Sequence, residues 1–205
     1  MKICGITNRE DARTAAELGA DALGFNFVSG TPRYVGAKPD LIELIDSVPP
    51  LISRVGVCVR PDDIDPEVLS HLDVLQVYDL TDLAGLLACC LRIIPVFRLQ
   101  SADDINAIVP VIEQLNPRAV LLDTYHQSTL GGSGVTFDWR LASEAQTRFG
   151  VSVILAGGLT PANVADAIQQ VQPYAVDVSS GVESAEPGRK DPAKLREFIH
   201  AALSA

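Results

Sequence analysis

The sequence predicts an α/β fold, a closed (β/α)8 (TIM-type) barrel, and three observations carry that expectation. Eight short runs rich in β-branched residues alternate with eight longer amphipathic stretches. Most of the runs are near-continuous apolar segments, as parallel strands covered on both faces require. Polar and glycine-rich residues gather just after several of the runs, where such a barrel carries its chemistry. An open doubly wound sheet also fits the alternation, but eight full repeats favour closure. A chain of 205 residues lies at the lower end for this architecture, which leaves room for few insertions and makes residues 1–205 a single compact domain.

The elements follow in order. Lys2–Ile6 is the first strand run. In "TNREDARTAAELGA" a polar start at Thr7 or Asn8 precedes an apolar stripe of Ala12, Ala15, Ala16 and Leu18, and Gly19 supplies the stop. Ala22–Val28 is the second run; a Gly/Ser/Thr-rich connection over 29–38 leads to "PDLIELIDSV", with Pro39 at a helix start and Leu41, Leu44 and Ile45 on one face. Ser53–Val59 leads to "DDIDPEVLSHL" and Val74–Tyr78 to "TDLAGLLACC". Ile93–Leu99 is followed by "SADDINAIVPVIEQL", where the internal Pro110 predicts a kink or a late start. Ala119–Asp123 precedes a second long connection, 124–136, and then "FDWRLASEAQTRFG" with Asp138 as the expected N-cap. Val151–Ala156, "TPANVADAIQQV", Ala175–Ser179 and "DPAKLREFIHAAL" complete the alternation. Loops as long as the two connections are often functional.

Composition narrows the function. With 47% hydrophobic and 20% charged residues the chain reads as a soluble globular protein, not a disordered one. A formal net charge of −10 argues against nucleic-acid and anionic-membrane partners, though not against an anionic small molecule held by backbone N–H groups. No apolar run suits a secretory signal or a membrane span. Cys4, Cys58, Cys89 and Cys90 match no zinc spacing, and His71, His126 and His200 are scattered, so no metal site is expected. Reduced thiols point to a cytoplasmic protein.

The strand ends supply the candidates. Cys4 closes the first run before Gly5, and is either a small buried hydrophobe or a reactive thiol. Asp123 ends the sixth run, as a loop cap or as an acid–base group. Gly157 and Gly158 follow the seventh run, and Ser179, Ser180 and Gly181 the eighth. Turns at those two places form the usual phosphate site of such barrels. Asp177 lies within the eighth run, facing the mouth or satisfied in the interior. Arg33, in the connection after the second run, can grip a carboxylate bidentately or sit solvated on the surface. Gln76 is polar in a buried strand and needs a partner, a core neighbour or a ligand. Together they describe a cofactor-free barrel for acid–base isomerisation of a sugar phosphate.

These motifs resemble those of the phosphoribosylanthranilate isomerase family of tryptophan biosynthesis. "KICGIT" is similar to its opening signature, "ALGFNFV…TPRYV" to its second-strand block, and "LLDT…GGSGVTFDW" to its sixth-strand block and flexible loop. "LAGGLTPANV" and "VDVSSGVE…PGRKDPAKLREF" resemble the last two blocks, so the likeness runs in order through nearly the whole chain. It implies an Amadori rearrangement with Cys4 as general base and Asp123 as general acid. It also implies that Arg33 meets the anthranilate carboxylate and that the backbones of Gly157, Gly158, Ser180 and Gly181 hold the phosphate. The implied partner is phosphoribosylanthranilate, bound by a monomer or a homodimer.

The chain departs from the family at two places. Its fourth-strand block reads "QVYD", with Tyr78 where the family usually has His, and "TPR" replaces the common Ser-Pro-Arg. Rival phosphate-binding barrels fit less well. An indole-glycerol-phosphate synthase would place lysine and glutamate at the strand ends that here hold Cys4 and Asp123. A pentose-phosphate epimerase would use a metal or paired acids. A barrel that binds without catalysing would not need Cys4, Asp123 and Arg33 together.

Overall fold

A computed structural model of the chain describes residues 1–123 and 139–205. His126, residues 131–134 and Asp138 lie outside the described residues. Eight parallel strands close into a barrel in sequence order: β1 (Lys2–Cys4), β2 (Ala22–Asn26), β3 (Ser53–Cys58), β4 (Val74–Val77), β5 (Arg92–Arg98), β6 (Ala119–Asp123), β7 (Ser152–Ala156) and β8 (Ala175–Val178). The helices are α1 (Arg9–Leu18), α2 (Leu41–Asp46), α3 (Pro66–Leu69), α4 (Leu83–Ala88), α5 (Ala102–Leu115), α6 (Trp139–Phe149), α7 (Val164–Val171) and α8 (Pro192–Leu203).

The seam closes where β1 pairs with β8, Lys2 opposite Asp177 and Ile3 opposite Val178. Beyond the strands the seam is pinned by polar contacts. Thr7 Oγ1 donates to the Gly188 carbonyl at 2.6 Å, and the Lys190 amide donates to Asp11 Oδ2 at 2.9 Å. Helix α1 begins as its sequence requires: Asn8 Oδ1 accepts from the Asp11 amide at 2.9 Å, and Gly19 leaves the helix at φ 105°, a left-handed turn that glycine makes without strain.

Three helices differ from their sequence patterns. The "DDIDPEVLSHL" stretch splits into a 3-10 turn at Pro61–Asp63 and the single turn α3, because Pro66 starts a new helix capped by Asp65. Helix α2 begins at Leu41 after Asp40, not at Pro39, yet buries Leu41, Leu44 and Ile45 as expected. Helix α5 runs through Pro110 from a Ser101/Asp104 capping box. Pro110 and Asn106 are both exposed, so water can satisfy the carbonyl that loses its donor.

The main core lies between the strands and the helices, with Ile3, Leu23, Phe25, Leu75, Leu122 and Leu155 facing outward from the barrel. A smaller apolar cluster of Val96, Leu121, Ile154 and Ala156 fills the barrel on the β5–β7 side. Elsewhere the interior is polar: Lys2 of β1 and Asp177 of β8 meet Gln76 of β4, all buried. Residues of one strand parity point inward. That parity brings Cys4, Asn26, Gln76, Tyr78, Asp123 and Asp177 to one cavity.

Candidate active site

The cavity opens at the C-terminal ends of the strands and holds about 420 Å³. All ten residues singled out in the sequence line it: Cys4, Arg33, Gln76, Asp123, Gly157, Gly158, Asp177, Ser179, Ser180 and Gly181. They fall into a thiol side, a carboxylate side, a glycine–serine cradle and a guanidinium.

Cys4 ends β1 opposite Gly24 of β2. A Cβ on Gly24 would lie 2.8 Å from the Cys4 sulfur and 3.0 Å from Lys2 Cε, so the bare glycine gives both side chains their space. After Cys4 the chain turns sharply. Gly5 adopts φ 75°, and the amides of Gly5 and Ile6 both donate to the Gly24 carbonyl at 2.9 Å. A side chain at Gly5 would also meet the Arg33 stem, with Cδ at 2.5 Å.

Burial pushes the Cys4 thiol above its ordinary range, while Lys2 and, more weakly, Lys190 pull it back and Asp177 opposes them. The Lys2 ammonium donates to Gln76 Oε1 at 2.9 Å and to Asp177 Oδ2 at 2.8 Å. Burial works against this ammonium, but the Asp177 and Cys4 charges outweigh it and hold Lys2 above its ordinary value. Gln76 and Asp177 therefore have a core neighbour as well as a place on the cavity wall. Asp177 Oδ1 is buried with no hydrogen-bond partner among the described residues.

Asp123 ends β6, three strands round the ring from Cys4. Its Oδ2 lies 3.8 Å from Arg98 Nε, and the Arg98 guanidinium sits 5.7 Å from the centroid of the Tyr78 ring. Tyr78 thus forms part of the wall beside Asp123. Burial, with the Asp123 charge next, pushes its phenol up to about 12, so it is a neutral donor at physiological pH.

The cradle joins two loops. Gly157 and Gly158 both take left-handed backbone, φ 86° and 65°. Asn163 braces this loop, accepting from the Thr160 amide at 2.7 Å and donating to the Gly158 carbonyl at 3.0 Å. After β8 a 3-10 turn spans Ser180–Val182. Gly181 in that turn packs against the other loop: a Cβ there would land on the Leu159 carbonyl oxygen and 2.9 Å from its carbon. The two loops thus touch backbone to backbone, and the amides that open the 3-10 turn have no partner inside it.

Arg33 is part-exposed but not free. It is clamped by Glu183, Nε to Oε1 at 2.7 Å and Nη2 to Oε2 at 2.6 Å. Two of its five N–H donors are used there, which leaves three for a ligand carboxylate. Behind Glu183 stands Lys190, whose ammonium is wholly buried and donates to Glu183 Oε1 and to the Ser179 carbonyl, both at 3.1 Å. Burial draws the Lys190 ammonium below its ordinary value although Glu183 supports it.

Sequence reasoning missed Lys2, Glu183 and Lys190. The signal for Lys2 was present: a lysine inside an apolar strand run raises the same question as Gln76. Glu183 and Lys190 stand beyond the eighth run, where nothing in the spacing shows that their side chains turn inward. Among the described residues no group of His, Cys, Asp or Glu could hold a metal ion, and no helix is long and apolar enough to cross a membrane.

Comparison with known proteins agrees with this geometry. The family model for N-(5'-phosphoribosyl)anthranilate (PRA) isomerase matches residues 1–201. The N-(5'-phosphoribosyl)anthranilate isomerase of Geobacter metallireducens is 46% identical, covering 98% of each chain. That of Trichlorobacter lovleyi is 44% identical, covering 100% of this chain and 98% of its own. The crystal structure of phosphoribosyl anthranilate isomerase from Thermotoga maritima superposes with a TM-score of 0.86 at 39% identity, over 100% of this chain and 98% of that one. A further structure of such an isomerase, in complex with reduced 1-(o-carboxyphenylamino)-1-deoxyribulose 5-phosphate, gives a TM-score of 0.83 at 37% identity. With the fold, the site and the full-length match in agreement, this chain belongs to the phosphoribosylanthranilate isomerase family.

Proposed function

We propose that this enzyme carries out the family's Amadori rearrangement of N-(5'-phosphoribosyl)anthranilate in tryptophan biosynthesis, with Cys4 as general base and Asp123 as general acid. One observation carries the reading: the thiol, the carboxylate and the two-loop cradle all line a single cavity. The cradle suits a phosphate, because amides and left-handed glycines present N–H groups without side chains in the way. Arg33, held by Glu183, suits the anthranilate carboxylate. The unpartnered Asp177 Oδ1 suits a sugar hydroxyl, which would satisfy it. Ser179 lines the same wall.

In this reading Asp123 protonates the furanose ring oxygen and the ring opens to a protonated Schiff base. Cys4, as thiolate, then takes the proton from the sugar C2' carbon. The electron pair moves toward the nitrogen, and the resulting enolamine tautomerises to the ketoamine 1-(2-carboxyphenylamino)-1-deoxyribulose 5-phosphate. No group leaves, and residues 1–205 work as one domain without a cofactor. The four cysteines are free thiols, which suits a reducing compartment, and the cytoplasm is the proposed location.

The test is the isomerase assay. Phosphoribosylanthranilate is generated in place and the loss of its fluorescence is followed with wild type, Cys4→Ser and Asp123→Asn. Wild type should turn over and each variant should lose at least about 10²-fold in kcat. Retention of full activity by either folded variant would remove that residue from the proposed role. Light scattering on the same preparation distinguishes monomer from homodimer.

A further inference from the structure

The catalytic reading leaves a difficulty: a thiol pushed up by burial is a poor base near neutral pH. The wall under Cys4 holds an answer. Lys2 lies two residues before Cys4 on the same face of β1, with a side chain only 6% exposed. An ammonium has three N–H donors. Two are fixed by Gln76 on β4 and Asp177 on β8, at 2.9 and 2.8 Å, which leaves one for the neighbouring Cys4 sulfur. The space that Gly24 leaves open lets the sulfur and the lysine stem lie side by side.

We propose that Lys2 is a positioning residue for the reaction, its charged amine held by Gln76 and Asp177 so that it stabilises the Cys4 sulfur as thiolate. The inference rests on Cys4 being the base. A buried lysine left alone would give up its proton; here Asp177 keeps it charged. When the sulfur takes the C2' proton, the lysine keeps its own and remains bonded to Gln76 and Asp177. Lys2 is therefore a standing field and not a proton relay. The other charged or titratable groups around the sulfur are Asp177 on β8, Lys190 ahead of α8, Arg33 from the loop after β2, and Tyr78 after β4. Lys190 pulls on the sulfur less than Lys2 does, and the Arg33 guanidinium is turned to Glu183.

The experiment reads the thiol directly. Carbamidomethylation of Cys4 by iodoacetamide is followed against pH by mass spectrometry of the Cys4 peptide, with the Cys58, Cys89 and Cys90 peptides as internal controls. Wild type is compared with Lys2→Met, Asp177→Asn and the Lys2→Met/Asp177→Asn pair, alongside kcat and KM. Lys2→Met should raise the alkylation midpoint by at least about one pH unit and lower kcat near neutral pH about tenfold, with little change in KM. Asp177→Asn removes the group that keeps Lys2 charged, so it should raise the midpoint too, and so should the double variant, which leaves no unpaired buried charge. General loosening of the barrel would instead speed alkylation of the buried Cys58, which should stay unchanged. If Lys2→Met does not fold, the double variant still decides the matter. An unmoved or lowered Cys4 midpoint in the folded variants overturns the proposal. The alkylation profile does not depend on turnover. Full activity in Cys4→Ser therefore defeats the base assignment alone, and an unmoved midpoint in an enzyme that needs Cys4 defeats the Lys2 proposal alone.

Discussion

Replacing Glu183 by glutamine removes one charge and keeps the shape, and the structure says what should follow. Its carboxylate takes three bonds: two from Arg33 at 2.7 and 2.6 Å and one from Lys190 at 3.1 Å. An amide offers one oxygen. If that oxygen stays at Oε1, where two donors converge, the amide nitrogen must face Arg33 Nη2, donor against donor. The larger loss is electrostatic. Lys190 has no exposure through which to recover hydration, so its charge is left buried without a counter-charge. Breaking a buried pair in this way costs about 3–5 kcal/mol. The lower end applies, because Arg33 is part-exposed and can turn to water. For a domain of this size about 3 kcal/mol lowers Tm by roughly 6–12 °C. Arg33, no longer clamped, should meet the substrate carboxylate less well, so KM should rise about tenfold or more while kcat changes little, as expected for lost uniform binding. Thermal unfolding by circular dichroism and steady-state isomerase kinetics check both parts. A Glu183→Gln variant with wild-type Tm and wild-type KM would refute the argument that this triad supports the site.

Three more outcomes are expected. Gly181→Ala should force the two cradle loops apart and destabilise the protein by about 1–3 kcal/mol, with KM raised more than kcat is lowered; calorimetry and kinetics check it. Gly24→Ala pushes a methyl group to 2.8 Å from the Cys4 sulfur, so kcat should fall at least about tenfold while KM holds, since the cradle is untouched. Arg33 and Lys190 overcome the burial of Glu183 and hold its carboxyl below the ordinary 4.5, and hydrogen bonds from Arg54 hold Asp73 below 3.8. Groups depressed in this way contribute stability that is complete above the unfolded values and is lost as pH falls through the folded ones. Urea unfolding should therefore weaken from about pH 4.5 downward, and Glu183→Gln should flatten that slope.

How far the chain could be read before folding depended on the kind of signal. The strand runs, the Asn8 start, the Gly19 stop and the closure all followed from local periodicity and capping, which act over a few residues. The splitting at Pro66 and the short α2 were harder to see, because a proline permits a helix start without fixing which proline will supply it. Pro110 shows the reverse: its local penalty was legible, but not that the position faces water, where the penalty is small. Within the site, Cys4, Asp123 and the two Gly/Ser turns stood at strand ends and could be found by that filter. Gln76 and Asp177 raised the right question without its answer, since their common partner Lys2 lies 74 and 175 residues away in the chain. Arg33 was half legible: its place near the mouth followed from the loop, its clamp by Glu183, 150 residues away, did not.

The pinned seam between β1 and β8 also sets a clock. Strand β1 is made before β8 and waits for it, and Thr7 and Asp11 wait longer still, for Gly188 and Lys190. Until those last residues emerge, Lys2 has no Asp177, Arg33 has no Glu183, and the cradle lacks its second loop. A nascent chain can therefore assemble most of its sheet and remain chemically silent. The site is completed in one step, when β8 and the residues after it close on β1.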